Sequence, residues 1–244
     1  MSVFNKLFST KSNNMKTCTA VIVAAGSSQR MGTDKILMPL GDRPVIAHTL
    51  YAFQSCELID ELIVVTRYDS LQTVADICAN YGIDKIRMVV EGGSTRAESA
   101  MIGISCASPD TELIAIHDGA RPFVSREIIE RVYYAASESG AAAPAVTPTD
   151  TVRLLNNRGA VISTPDRNLV ALIQTPQIFD AQLIKKSLSK VIAKDIPITD
   201  DCAAVETAGG KVCIVDGDRS NLKLTSPYDI YLAKRILSEK GGAL

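Results

Sequence analysis

The chain has 244 residues, 46% of them hydrophobic and 22% charged, enough to bury one sizeable core or two small ones and too apolar for disorder to be the default. Its formal net charge of −1 removes any general electrostatic pull toward nucleic acid or a membrane surface, so a polyanionic ligand has to be captured by locally placed cations. The six cysteines form no C-x-x-C pair and read as reduced, core-type residues. With no apolar stretch of membrane-spanning length and no signal-peptide pattern, the expected compartment is the cytoplasm.

Residues 1–16 carry Lys6, Lys11 and Lys16 and no acid, and are expected to be a loose extension. The alternative is a short amphipathic turn at Val3, Phe4, Leu7 and Phe8 that touches a partner or a membrane, though one such turn is too short to be stable alone. From residue 19 onward, short apolar runs alternate with helical patterns, which predicts an α/β fold with a Rossmann-like, mostly parallel sheet covered by helices on both faces. The strands read at 20–25, 62–66, 86–90, 113–117, 142–146 and 212–215. Helices read at 44–56, with Pro44 at the first helical position, then at 71–81, 95–106, 125–139 with Ser125 as N-cap, and 227–240. Residues 150–164 break the alternation with two β-type runs around Asn156-Asn157-Arg158-Gly159, a projecting hairpin. An isolated hairpin is marginal in water, so this one needs a surface to lie on, in its own domain or in a second copy of the chain.

Chemistry-bearing residues fall where the strands end, and in an open α/β sheet the crevice lies beyond the carboxyl ends of the strands. The first strand runs into Gly26, followed by a loop of small residues with Arg30 and Lys35, an outline of a phosphate site. Its spacing fits neither a P-loop nor G-x-G-x-x-G, and an ordinary strand-to-helix turn is the bland alternative. After the third strand, Gly92, Gly93 and Ser94 precede a helix with Ser99 one turn in: either a place for a base or sugar to approach closely, or a helix cap with surface Arg96. His117-Asp118 ends the fourth strand with a carboxylate able to hold a divalent cation or a ribose hydroxyl, or simply to cap a loop. Asn221-Leu222-Lys223 supplies a further cation. Only His48 and His117 are present, with no G-x-S-x-G elbow and no His/Cys cluster, so hydrolase triads and zinc chemistry have little support.

A-A-G-S-S-Q-R-M-G with Lys35, E-G-G-S-T-R-A-E-S-A, H-D-G-A-R-P-F, P-D-R-N, Q-T-P-Q-I-F, T-D-D and S-N-L-K-L-T stand in this order along the chain. In that order they resemble the 2-C-methyl-D-erythritol 4-phosphate cytidylyltransferases over nearly everything from residue 19 to 240. The resemblance implies one cytidylyltransferase domain over 17–244, its hairpin at about 150–165 serving as a dimerisation arm. It also implies cytidylyl transfer from CTP to the polyol phosphate, with Mg²⁺, in non-mevalonate isoprenoid synthesis. Carried over by position, it puts the catalytic cations at Arg30, Lys35, Lys223 and Arg167, with Arg30 and Lys35 on the CTP phosphates. Ala24, Ala25 and Gly26 would line the nucleotide, Gly93, Ser94 and Ser99 would meet cytosine and ribose, and Asp118 would lie beside the ribose and the metal, unless the metal is held through the CTP phosphates alone. Arg121, Thr151 and Arg167 would hold the acceptor phosphate, reaching over from the neighbouring subunit of a homodimer, and Thr175 would contact substrate. Two positions depart from the family pattern: its proline-lysine-glutamine is Asp34-Lys35-Ile36 here, and Ser94 replaces an acid common after the paired glycines. A ribitol-5-phosphate cytidylyltransferase and a non-catalytic nucleotide-binding module stay open as alternatives. Two lysines aimed at a phosphate exceed what binding alone requires, which argues against the module.

Overall fold

The computed structural model describes residues 15–26 and 34–239. The amphipathic turn at Val3–Phe8 and the Arg30 assignment therefore lie outside the described residues, as do all but the last two positions of the expected N-terminal extension. Of those two, Lys16 is tied down: its Nζ donates to the Ser137 carbonyl at 3.0 Å, and its own carbonyl accepts from the Tyr133 hydroxyl at 2.7 Å.

The described strands and helices, in chain order, are β1 (Cys18–Val23), β2 (Pro39–Leu40), β3 (Arg43–Pro44), α1 (Val45–Gln54), β4 (Glu61–Thr66), α2 (Leu71–Asn80), β5 (Ile86–Glu91), α3 (Arg96–Ser105), β6 (Leu113–Asp118), α4 (Arg126–Ser139), β7 (Ala141–Val146), β8 (Leu154–Leu155), β9 (Val161–Ser163), β10 (Leu172–Ile173), β11 (Gln177–Asp180), α5 (Ala181–Ala193), α6 (Asp201–Thr207), β12 (Cys213–Asp216) and α7 (Pro227–Glu239). The main sheet runs β10-β7-β11-β6-β1-β4-β5, with β12 on β7. β1 is parallel to both β4 and β6, and β5 is parallel to β4. The sheet is thus mostly parallel, as expected, with two antiparallel strands: β11 runs against both β6 and β7, and β10 runs against β7.

Period-two alternation sends side chains of each central strand to two separate cores. Ala20 and Ile22 of β1 join α1, α2, α4 and α7 on one face, through Leu50, Phe53, Val74, Val132 and Leu237. Val21 points the other way and joins α3, α5 and α6 through Ile104, Ile184, Leu188 and Val205.

Local signals set the helix starts. Thr95 and Glu98 form a reciprocal capping box on α3, Ser125 accepts from the Ile128 N–H on α4, and Asp180 accepts from the N–H groups of Gln182 and Leu183 on α5. Pro44 is a correction by one position: it is the extended residue preceding α1, with φ −68° and ψ 154°, and not its first helical residue. The sequence reading also placed no strand or helix in residues 172–207, which hold β10, β11, α5 and α6. All six cysteines are free; Cys18, Cys56, Cys78 and Cys202 are buried as expected, whereas Cys213 is exposed.

The hairpin forms as a two-stranded sheet of its own, β8 against β9. Its turn is closed by Asn156, whose N–H donates to the Ala160 carbonyl and whose side-chain oxygen accepts from the Arg158 and Ala160 N–H groups. Gly159 takes φ +79°, a left-handed conformation that glycine adopts without steric cost. Leu154, Leu155, Val161 and Ile162 are all more than half exposed. Among the described residues no helix is long and apolar enough to cross a membrane.

Candidate active site

The segments that follow β1, β5 and β6, together with the start of α3, line a cavity of about 380 Å³. Its lining includes Ala24, Ala25 and Gly26 after β1, Lys35 and Ile36 from the next loop, Gly93 to Arg96 and Ser99 after β5, Asp118 at the end of β6, and Lys223. Nine sequence-predicted residues therefore converge: Ala24, Ala25, Gly26, Lys35, Gly93, Ser94, Ser99, Asp118 and Lys223.

The two backbone walls are held at fixed separation. The Ala24 N–H donates to the Val65 carbonyl at 2.7 Å and the Gly92 N–H to the Thr66 carbonyl at 2.8 Å, tying both loops to the end of β4. Only glycine fits at position 92, where a Cβ would stand 2.5 Å from the Ala25 Cβ and 2.8 Å from Ser99 Oγ. Ser99 Oγ accepts from the Gly93 N–H at 3.1 Å and donates to the Thr95 carbonyl at 2.9 Å, so it shapes the glycine loop from behind. Ser94 donates to Glu98 at 2.5 Å. The helix-cap reading of this loop holds, and the capped loop places Gly93, Ser94 and Thr95 on the cavity wall.

Asp118 is the electrostatic centre. Its Oδ2 lies 2.9 Å from Lys223 Nζ and 3.4 Å from Arg121 Nε, and its Oδ1 lies 3.4 Å from Arg96 Nη2. Burial by itself raises the carboxyl, but Lys223, Arg96 and Arg121 outweigh it and hold Asp118 well below the usual carboxylate range. Arg96 continues to the fully buried Asp201 on α6, its Nη1 2.5 Å from Asp201 Oδ2. Burial opposes the charge of Arg96, yet Asp201 and Asp118 together keep it firmly protonated. Neither Arg96 nor Asp201 was assigned a role from sequence, although Arg96 stands in the glycine loop singled out there and Asp201 closes the T-D-D motif.

Behind Asp118 lies a chain of neutral groups. The Arg121 carbonyl can only accept, so His117 Nε2, 3.3 Å away, carries the proton; Nδ1 then accepts from the Thr175 hydroxyl at 3.0 Å, and that hydroxyl accepts from the Asp118 N–H at 3.1 Å. Burial pushes His117 down to about 3, so it is neutral at neutral pH. Thr175 is itself buried and does not line the cavity; it braces the backbone of Asp118. Arg121 is likewise behind the wall, its Nη1 donating to the Asn221 carbonyl at 2.7 Å. Thr151 and Arg167 are exposed on the segment that carries the hairpin, and Arg167 Nη1 donates to the Thr149 carbonyl. Among the described residues, the positions assigned to the nucleotide side thus come together within one chain, and those assigned to the acceptor side do not.

Among the described residues no cluster of three or more His, Cys, Asp or Glu side chains could hold a metal ion. Asp118 is the one acidic side chain of the described lining, and both its oxygens face cations. Such a donor set does not make a protein-only metal site; it suits a cation that arrives already held by phosphates. Lys35, Arg96 and Lys223 against one carboxylate leave the described lining with an excess of positive charge.

The same chain layout occurs in known proteins. The IspD model, described as 2-C-methyl-D-erythritol 4-phosphate cytidylyltransferase, matches residues 18–239. A relative of that name from Clostridium botulinum is 36% identical over 92% of this chain and 99% of its own length. Another from Desulforamulus reducens is 39% identical over 93% of this chain and 98% of its own. Among solved structures, the 4-diphosphocytidyl-2C-methyl-D-erythritol synthase of Anaerococcus prevotii superposes with a TM-score of 0.83 at 36% identity, covering 91% of this chain and 96% of that one. The 2-C-methyl-D-erythritol 4-phosphate cytidylyltransferase of Thermus thermophilus gives 0.75 at 30% identity, covering 92% and 100%. With its fold, its ordered motifs and its full-length matches in agreement, the chain belongs to the 2-C-methyl-D-erythritol 4-phosphate cytidylyltransferase family.

Proposed function

We propose that the protein transfers the cytidylyl group of CTP to 2-C-methyl-D-erythritol 4-phosphate, forming 4-diphosphocytidyl-2-C-methyl-D-erythritol and pyrophosphate, in non-mevalonate isoprenoid biosynthesis. The observation that carries this reading is the cavity where Lys35 and Lys223, from distant parts of the chain, meet the close-packed backbone of residues 24–26 and 92–95. An acceptor phosphate oxygen attacks the α-phosphorus of CTP in line, the new P–O bond forms, and the bond to the β-phosphate oxygen breaks as pyrophosphate leaves. Both reactants are anions, so the barrier is dominated by charge crowding, and preorganised cations are the principal catalytic device. Lys35 and Arg30 are assigned to the leaving phosphates and Lys223 to the α-phosphate. Asp118, held by three cations, orients Lys223 and accepts from the ribose.

Mg²⁺ belongs to this proposal as a cation carried by the triphosphate, where it neutralises developing charge. The proposal also includes a cytoplasmic homodimer in which Thr151 and Arg167, which do not line their own cavity, reach the cavity of the partner. The exposed apolar hairpin supports that arrangement, since a two-fold contact covers both copies at once. The reading is tested by Mg²⁺-dependent pyrophosphate release from CTP, with UTP as control nucleotide and with methylerythritol phosphate and ribitol 5-phosphate as parallel acceptors. Turnover should require CTP and favour methylerythritol phosphate. Preference for ribitol phosphate would move the protein to the sister activity, and no release with either acceptor would refute transfer.

A further inference from the structure

Asp34 stands where the family pattern has proline, immediately before the lysine assigned to the CTP phosphates. A carboxylate there is at first sight a liability, because it places negative charge beside an anion site. The structure shows where that charge goes. Arg67, the residue following β4, donates from Nη2 to Asp34 Oδ2 at 2.6 Å, and the buried Ser70 hydroxyl lies 3.3 Å from the same oxygen. Arg67 is braced in turn by Asp69, 3.1 Å from its Nε. Asp34 Oδ1 faces the N–H of Ile36 at 3.4 Å, and the Asp34 carbonyl accepts from the Leu37 N–H at 3.0 Å. Ile36 is buried and its carbonyl accepts from the Ile46 N–H at 2.9 Å. The backbone is thereby clamped on both sides of Lys35, to the end of β4 through Asp34 and to the start of α1 through Ile36.

We infer that the Asp34–Arg67 pair is a positioning device for Lys35, fixing by an ion pair the backbone just before it, and that it sets the affinity for the CTP phosphates. Neither residue lines the cavity, so neither touches nucleotide; both act through Lys35. The pair is largely withdrawn from solvent, with side-chain exposures of 30% for Arg67 and 14% for Asp34, which sets it apart from a freely solvated surface bridge. Small displacements of a charged group around a reacting phosphate are costly, which gives such a tether kinetic as well as binding consequences.

The inference rests on the proposed CTP site, and its test separates the two. CTP binding in the presence of Mg²⁺ is measured by calorimetry for the wild type, Asp34→Ala, Arg67→Ala, Arg67→Lys and the Asp34→Ala/Arg67→Ala double variant, and for Asp34→Ala placed on Lys35→Ala. Charge alone predicts that Asp34→Ala, which deletes a negative charge beside an anion site, binds CTP more tightly. Tethering predicts the opposite sign, a loss of roughly tenfold for Asp34→Ala and for Arg67→Ala, with Arg67→Lys intermediate and the KM of the acceptor unchanged. The double variant should lose no more than about twofold beyond the worse single one, and Asp34→Ala should cost less than about twofold once Lys35 is gone. Wild type that fails to bind CTP would overturn the proposed function together with this inference. Wild type that binds CTP while Asp34→Ala binds it equally or more tightly, or an undiminished effect of Asp34→Ala on the Lys35→Ala background, would overturn the tether alone.

Discussion

Lys223 Nζ lies 2.9 Å from Asp118 Oδ2, so the cation contributed by the loop after β12 is held in the cavity by the carboxylate that ends β6. Lys223 is 40% exposed in its side chain and Asp118 11%, which leaves the ammonium open to an incoming anion while its anchor stays shielded. Lys223→Ala should fold normally and lose about 10²–10³ in kcat, the usual cost of deleting one preorganised charge contact. Steady-state rates on a variant with unchanged circular dichroism check this; near-wild-type turnover would remove Lys223 from the chemistry.

Gly92→Ala tests the close approach of the two nucleotide walls. The added methyl would meet the Ala25 Cβ at 2.5 Å, and that atom cannot move without its backbone. Overpacking of this kind typically costs about 1–3 kcal/mol. The expected result is a fall of at least about tenfold in kcat/KM for CTP with a lower melting temperature, the acceptor KM being affected least. Unaltered CTP kinetics would show that the walls have slack.

His117 makes stability fall in mild acid. Its pKa is near 6.5 when unfolded and pushed down to about 3 in the folded protein by burial, so below pH 6.5 the unfolded chain takes up a proton that the native state refuses. The stability is fully present above pH 6.5 and declines by up to about 1.4 kcal/mol per pH unit as pH falls toward 3. Between pH 6.5 and 5, above the range where most carboxylates titrate, His117→Gln should show a flatter dependence of melting temperature on pH than wild type. Parallel curves for the two proteins would contradict this account of His117.

A shared site can be detected by mixing two inactive variants. Lys35→Ala spoils its own cavity, and Arg167→Ala, under the proposed dimer, spoils that of its neighbour. Random exchange makes half the dimers mixed, and each mixed dimer has one intact site, so the mixture should recover roughly a quarter of wild-type activity while each variant alone stays inactive. No recovery after verified subunit exchange would confine the hairpin to a structural role.

Much of this molecule is legible in local signals. The strands β1, β4, β5 and β6 announce themselves as short apolar runs, the caps Thr95 and Ser125 mark α3 and α4, and Asn156 with Gly159 marks the hairpin turn, because each signal lies within a few residues of what it specifies. α5 carried the same kind of signal, an Asp180 cap before Leu183, Ile184, Leu188 and Val191, and went unread; α6 is only seven residues long. β11 could not be placed from its own four residues, since its antiparallel seat depends on the facing edges of β6 and β7. The sequence by itself determined the layered fold and the residue types of a phosphate site. Only the tertiary structure decided which cations share Asp118, that Thr175 and Arg121 brace the wall and do not line it, and that Asp34 is neutralised by Arg67. The physical reason is that periodicity and capping act over a few residues, whereas charges far apart in sequence meet only once the strand order of the sheet has brought their loops to one edge.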